Sequence, residues 1–445
     1  MAVSAGQELE LVVEKPASGG RMIARHGGEV LLVAGAIPGE RVLARITRAE
    51  KRVAFASTVR VLERSPDRRE ASGDPTCGGC IYAFVNYPRQ LQLKAEIVRD
   101  AFERIGHVPL DAVPDVMGSP EREYRMRARF HVQDGKPGFY REGTHELCDA
   151  RQTGQLLDAS IEAVEAAVAS LAAQGIPVLG VELSENMGAD QRALHFDLGE
   201  AGSPGRQDRR SHVQGGRRRS RSGLSDALER TVSAAGLTGC TARGSDTSGY
   251  LAGDPIVSDS MAALTGGRAV QGTLRRHPEA FFQANRFLVG ALVQAVIDAV
   301  GEGPAVDLYA GVGLFSVSLA AMGRGAITAV EGDPVSSRDL LRNAAPYYDQ
   351  LRVRHGSVES YLARPEPAPA TVIVDPPRTG MSKEAAGMIA HAGAGRIIYV
   401  SCDAPTMARD ARLLLDGGYR LESLRGFDLF PNTPHVETVG IFNEV

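Results

Sequence analysis

The residues best suited to chemistry lie in the last third of the chain, each next to an apolar run. Asp307-Leu-Tyr-Ala-Gly311-Val-Gly313 closes one such run. Glycines at a strand end let the backbone approach a nucleotide-like ligand, and ligands of open α/β sheets sit at the carboxyl ends of the strands. Glu331 ends the next apolar run about twenty residues on, where a carboxylate can accept both hydroxyls of a ribose. A dinucleotide site is the alternative, but its third glycine is missing because position 316 is Ser. That moves the reading towards S-adenosylmethionine. Asp375-Pro-Pro-Arg378 follows a further apolar strand, and the prolines lock the backbone so that Asp375 is presented rigidly at the sheet edge. Cys402 follows another strand in Tyr399-Val-Ser-Cys-Asp403. A cysteine there is commonly a buried structural residue. Its strand-end position, and a helix start at Ala404-Pro405 that could help stabilise a thiolate, favour a nucleophile. Glu437 opens an apolar strand, a place where a glutamate is usually just solvated.

These residues need a frame, and the periodicity supplies one. From about residue 286, strands at 305–309, 326–331, 351–355, 371–375 and 396–401 alternate with helices at 287–300, 314–322, 335–347, 383–391 and 404–415. Such alternation implies a parallel sheet covered on both faces. Two final strands near 419–428 and 436–442 have no helix between them, so the sheet should end in an antiparallel hairpin. Residues 1–62 read as short strands punctuated by Gly19-Gly20, Gly27-Gly28 and Pro38-Gly39, the pattern of a small barrel. Residues 63–265 form a less regular α+β middle. It has helices at 87–105 and 156–173, and a strand in which Arg125, Arg127 and Arg129 alternate with Met126, Ala128 and Phe130. Within it, residues 201–222 are rich in Gly, Ser and Arg without apolar periodicity, which predicts a loosely held, solvated insertion. The fold class expected is therefore multidomain α/β: an OB-like barrel over 1–62, an irregular central domain over 63–265 and a Rossmann-like domain over 266–445.

Composition bounds the function. The 445 residues are 43% hydrophobic and 23% charged, which suits a globular chain. No apolar run approaches the roughly 20 residues of a membrane span. The formal net charge of −4 argues against a uniformly basic nucleic-acid coat but not against a local basic surface. Residues 1–60 hold nine Lys/Arg and six Glu, a net of +3 inside an acidic whole, and mildly basic β-barrels are common nucleic-acid-binding modules. Five lysines stand against 45 arginines. Coding bias accounts for that as readily as the grip of arginine on phosphate does. The five cysteines are Cys77, Cys80, Cys148, Cys240 and Cys402. An odd, sparse set with no secretory signal points to reduced thiols in the cytoplasm.

Taken together, Phe281-Phe-Gln283-Ala-Asn285, Asp307-Leu-Tyr-Ala-Gly-Val-Gly313, Val374-Asp-Pro-Pro-Arg378, Val400-Ser-Cys402 and His435-Val-Glu437 resemble the motifs of the RNA uracil-C5 methyltransferase family, in its order. The family includes tRNA and 23S rRNA 5-methyluridine enzymes. Residues 1–62 resemble its TRAM domain, and Cys77-Gly-Gly-Cys80 and Tyr124-Arg-Met-Arg127 resemble motifs of its central domain. The resemblance implies S-adenosyl-L-methionine as cofactor, held by Gln283, Asp307, Tyr309, Gly311, Gly313, Glu331 and Asp375. It implies a catalytic set of Cys402, Glu437 and Asp375, in which Cys402 adds to uracil C6 and Glu437 removes the C5 proton. RNA is the implied partner, 23S rRNA first and tRNA second, with the target base flipped out.

The departures are specific. Of the family's four iron–sulfur ligands only Cys77 and Cys80 match. Ala71 and Thr153 occupy the other two positions and Cys148 lies five residues away from the second of them, so no cluster and no metal are expected. Met126 replaces a usual polar residue. The rival activities are RNA cytosine-C5 methylation, which also uses a cysteine, and an RNA-binding chaperone without catalysis.

Overall fold

A computed structural model describes residues 3–199, 221–244, 249–364 and 367–445. The arginine-rich stretch 201–222 lies outside them, apart from the last two residues, which begin the helix Arg221–Ala235. The chain divides into two compact units. One joins Met1–Glu121 to Asp375–Val445, and the other is Arg122–Val374.

The first unit opens with the expected barrel: β1 (Glu8–Pro16), β2 (Met22–His26), β3 (Glu29–Ala34), β4 (Arg41–Ala49) and β5 (Val53–Glu63), closed in the order β1-β2-β3-β5-β4. Alternate residues point inward. Leu11, Val13, Leu31, Val33, Val42, Ala44 and Ile46 fill the interior. Gly27 and Gly28 both take positive φ between His26 and Glu29, the two-residue turn that matches strand twist. Beyond the barrel, Pro88 starts the helix Tyr87–Arg104. The strand Glu437–Glu444 runs antiparallel to Arg396–Ser401 on one side and to Tyr419–Phe427 on the other. The predicted terminal hairpin is therefore present, and Asp115–Met117 adds a parallel edge to Tyr419–Phe427.

The second unit holds four parallel strands in the order Leu351–His355, Ile327–Glu331, Ala305–Leu308, Thr371–Val374. Ala305–Leu308 and Thr371–Val374 are buried throughout, as strands covered on both faces must be. The middle segment is more ordered than its sequence implied. Seven strands form one sheet in the order Gly249–Gly253, Gly239–Arg243, Arg192–Leu198, Val178–Glu185, Arg127–Gln133, Lys136–Tyr140, Leu147–Cys148. The helix Asp158–Ala173 packs on it through Ile161, Val164, Val168 and Leu171. Each such side chain contributes about 1.5–3 kcal/mol on full burial.

No helix among the described residues is long and apolar enough to cross a membrane. In the first unit Cys77 is disulfide-bonded and Cys80 keeps its thiol outside any disulfide. In the second, Cys148 is disulfide-bonded and Cys240 is free. The expectation that every thiol is reduced is corrected accordingly.

Candidate active site

Strand register brings the residues expected to be catalytic together within the first unit. Ser401 pairs with Thr438 in an antiparallel ladder. The next residues outward are Cys402 and Glu437, so the two meet at one strand end although they are remote in sequence. Thr438 Oγ1 donates to the Ser401 carbonyl at 3.0 Å and locks this register. Asp403 caps the helix Ala404–Asp416 by accepting from Thr406 N at 2.9 Å. The loop after Asp375 is tied to the same helix. Gly380 N donates to the Pro377 carbonyl at 2.7 Å, Met381 N donates to Asp410 at 3.0 Å, and Thr406 Oγ1 donates to the Arg378 carbonyl at 3.4 Å. Gly380 has φ +75°, and a Cβ there would lie 2.6 Å from the Arg409 guanidinium.

The four side chains share one electrostatic environment. Burial pushes the Cys402 thiol up to about 12, the Glu437 and Asp375 carboxylates add to the rise, and Arg378 opposes it with its charge and a hydrogen bond. Burial holds the Glu437 carboxyl well above the usual carboxylate range, Asp375 raises it further and Arg378 again opposes. Both shifts favour the protonated form of each group, against the contribution of the helix start at Ala404. Two carboxyls and low dielectric outweigh a helix terminus, worth about 0.3–1 kcal/mol. Arg378 is the residue that motif reading quoted without assigning a role. Its signal was a lone cation in the same tetrapeptide as Asp375.

Of the residues expected to hold the cofactor, Gln283, Asp307, Tyr309, Gly311, Gly313 and Glu331 belong to the second unit and Asp375 to the first. Asp307 is fully buried, and burial raises its carboxyl to about 7 against the bond it accepts from Ser316 N at 3.0 Å. Its other oxygen, Oδ1, has no hydrogen-bond partner. Gly311 and Gly313 have φ +57° and +96°. A Cβ on Gly313 would lie 2.5 Å from Val317 Cγ2 and 2.8 Å from Leu340 Cδ1. Tyr309 also takes positive φ, at 60°, which is uncommon for a bulky side chain and costs of order 1–3 kcal/mol. Glu331 accepts from Gly311 N and Asp333 N, each at 2.6 Å, and burial raises its carboxyl. A carboxylate offers roughly four lone-pair sites, so the Gly311, Asp333 and Gly332 N–H groups leave room for a ribose hydroxyl. An orphaned buried acceptor, a glycine-bearing turn and a carboxylate with spare acceptor capacity fit an adenosyl sulfonium cofactor carrying hydroxyls and an ammonium.

Gln283 is buried in a segment that pairs with another predicted motif. Met126 N donates to the Ala284 carbonyl at 2.8 Å and Arg286 N to the Tyr124 carbonyl at 2.9 Å. The Tyr124–Arg127 and Phe281–Asn285 motifs therefore form one structure. Asn285 Oδ1 accepts from Phe287 N and Leu288 N and so starts the helix Val289–Ala299. Met126 is fully buried, which makes it a packing residue here. Arg127 and Arg129 are held by Glu182 and Asp197 at 3.0 and 3.2 Å, so much of that arginine face is internally neutralised. Cys77 and Cys80 lie in one tight turn, in which Cys80 N donates to the Cys77 carbonyl at 2.8 Å. Among the described residues no three His, Cys, Asp or Glu side chains are grouped to hold a metal.

Parallel strands with a glycine turn at one strand end suit a methyltransferase that uses S-adenosyl-L-methionine. Comparison with known proteins agrees. Residues 362–444 match the model of the tRNA (uracil-5-)-methyltransferase family, and residues 3–59 match the TRAM domain. An RNA methyltransferase of Streptomyces coelicolor, described as uncharacterized, is 34% identical over 98% of this chain and 93% of its own length. One from Streptomyces avermitilis is 32% identical over 98% of each. The crystal structure of Pyrococcus abyssi tRNA (uracil-54, C5)-methyltransferase in complex with S-adenosyl-L-homocysteine has a similar fold. Its TM-score is 0.72 at 22% identity, over 97% of this chain and 99% of that one. The chain belongs to the RNA uracil-C5 methyltransferase family, whose cofactor is S-adenosyl-L-methionine.

Proposed function

We propose that the protein forms 5-methyluridine in structured RNA through a covalent adduct at Cys402, with 23S rRNA as the substrate. Transfer RNA is the second reading, favoured by the description of the matching family. The cross-strand placement of Cys402 and Glu437, beside Asp375 and Arg378, is the observation that carries the proposal. Uracil C5 is a weak nucleophile. Cys402 gives its proton to solvent water and forms a bond to C6, and the electron pair of the C5–C6 double bond moves into an enolate over C5, C4 and O4. Arg378 steadies the developing negative charge. The bound cofactor supplies an electrophilic methyl group, which Gln283, Asp307, Tyr309, Gly311, Gly313 and Glu331 would hold ready. Once C5 is methylated, Glu437 as its carboxylate takes the C5 proton, the double bond re-forms and the C6–sulfur bond breaks. A base within a duplex must leave the stack to reach such residues.

The test is methylation of total tRNA and rRNA with labelled cofactor, followed by nucleoside mass spectrometry and site mapping. Label in 5-methyluridine at one rRNA position supports the full reading, and label in tRNA moves it to the second. Label only in 5-methylcytidine would sink it. Cys402→Ala should abolish turnover, which separates an enzyme from an RNA chaperone. Glu437→Gln should accumulate a denaturant-stable RNA adduct, because the C5 proton is no longer removed.

A further inference from the structure

The stretch 428–436 joins the strands Tyr419–Phe427 and Glu437–Glu444, and so delivers the chain to Glu437. It contains no helix or strand, yet every residue in it is buried except Phe430 and His435, which are partly buried. Connections normally lie on the surface, where water satisfies their backbone groups. Here side chains of the helix Tyr87–Arg104 take part of that role. Gln90 is fully buried on this helix. Its Oε1 accepts from Asn432 N at 2.9 Å, and its Nε2 donates to Asn432 Oδ1 at 2.9 Å. Arg69 also donates to Asn432 Oδ1 at 2.9 Å, and Tyr82 N donates to the Asn432 carbonyl at 2.8 Å. One turn along the helix from Gln90, Lys94 pairs with Asp428 and donates to the Phe430 carbonyl at 3.0 Å.

Asn432 sits in the turn of this connection with φ +63°. That left-handed conformation is uncommon, and asparagine tolerates it better than most side chains do. Beyond the turn, Thr433 Oγ1 donates to the Phe430 carbonyl at 2.7 Å and accepts from His435 N at 3.3 Å. Pro431 and Pro434 fix φ on either side. Glu437 follows, in register with Phe427. The strand ladder fixes Glu437 from its C-terminal side, and the connection decides how the chain enters from the other. We propose that Gln90 and Asn432 are positioning residues for the base. Their paired amide bonds set the direction in which the chain reaches Glu437, and so the aim of its carboxylate at the C5 proton. Both are buried and act through the connection. A misplacement of about 1 Å at a reacting group can cost roughly a hundredfold in rate. This rests on the reading of Glu437 as the base in RNA uracil-C5 methylation, and names the residues that hold it ready.

The test uses the full-length protein, labelled S-adenosyl-L-methionine, and transcripts of 23S rRNA and of tRNA made with ordinary or 5-deuterated uridine. Single-turnover reactions quenched in denaturant follow the covalent adduct and the released 5-methyluridine separately. Glu437 acts only after the methyl group is in place, so loss of its aim should slow release and spare adduct formation. Gln90→Leu and Asn432→Gly should each release product roughly ten- to hundredfold more slowly than the wild type. The adduct should accumulate, and deuterium at C5 should slow release more than it does in the wild type, because that proton transfer now limits the rate. Asn432→Asp keeps the Oδ1 acceptor and tolerates the same φ, and should release product at close to the wild-type rate. Thermal melting checks folding. Gln90→Glu, which still accepts from Asn432 N, takes the place of Gln90→Leu if the latter does not fold. Folded Gln90 and Asn432 variants that release product at the wild-type rate, or that slow adduct formation and release alike, would overturn the proposal. Failure of the reading beneath it looks different. Glu437→Gln would then leave no adduct, or the wild type would make no 5-methyluridine in any RNA, and the positioning role would fall with it.

Discussion

Cys402 should be a slow thiol until its substrate arrives, and the size of the effect follows from its surroundings. With the group pushed up to about 12, the thiolate fraction at pH 8 is about 10⁻⁴, against roughly a quarter for an ordinary thiol near 8.5. The scarcer thiolate is also more nucleophilic. At a Brønsted slope of about 0.4–0.5, a rise of roughly three and a half units returns a factor of about 25–55. The net expectation at pH 8 is alkylation about fiftyfold slower than that of a small free thiol. The assay is iodoacetamide labelling of the RNA-free protein from pH 6 to 10, quantified on the Cys402 peptide by mass spectrometry, with N-acetylcysteine as reference and circular dichroism at each pH. The logarithm of the rate should rise by about one per pH unit through pH 10 without a plateau. Arg378→Gln should slow labelling further, because the one group that lowers the thiol's pKa is gone. A plateau near pH 8.5 would refute the reasoning, since it would mean that burial and the two carboxyls do not govern this thiol.

Other consequences can be measured separately. Asp307 is raised in the folded state from 3.8 to about 7, so its contribution to stability is whole below pH 3.8 and is lost as pH rises towards 7. Asp307→Asn removes that loss while keeping an acceptor for Ser316 N, and urea unfolding should show a gain absent at pH 4 and reaching about 3–4 kcal/mol at pH 8. Lys94 and Asp428 are a fully buried ion pair, and Lys94 also donates to the Phe430 carbonyl at 3.0 Å. Lys94→Met should cost about 3–5 kcal/mol in urea unfolding, because it leaves Asp428 charged and alone. Gly313→Ala places a methyl group against Val317 and Leu340 at a positive φ. Calorimetric titration should show loss of S-adenosylhomocysteine binding, larger than any loss in melting temperature.

Much of the frame was legible because it repeats. Alternation of strand and helix after residue 286, glycines at strand ends and an unbroken final pair of strands stated the methyltransferase domain in local terms. The barrel was half legible: β1, β3 and β4 alternate cleanly, whereas Met22–His26 buries three consecutive residues and Val53–Glu63 mixes partly and fully exposed ones. The seven-stranded middle sheet was hidden because its order joins Arg127–Gln133 to Val178–Glu185 and Arg192–Leu198 to Gly239–Arg243. Those pairings span long connections that no local period records.

The sequence by itself determined the chemical inventory: a thiol, carboxyls, a glycine turn and the cofactor class, each in a motif short enough to read along the chain. Tertiary structure decided what those groups are in place. The pairing of Ser401 with Thr438 put Cys402 opposite Glu437, and a shared buried environment raised the pKa of both. Salt bridges between strands of the barrel tied Arg25, Arg41 and Arg45 to carboxylates distant in sequence. Register, burial and charge cancellation are sums over residues distant in sequence, so no window of the chain contains them.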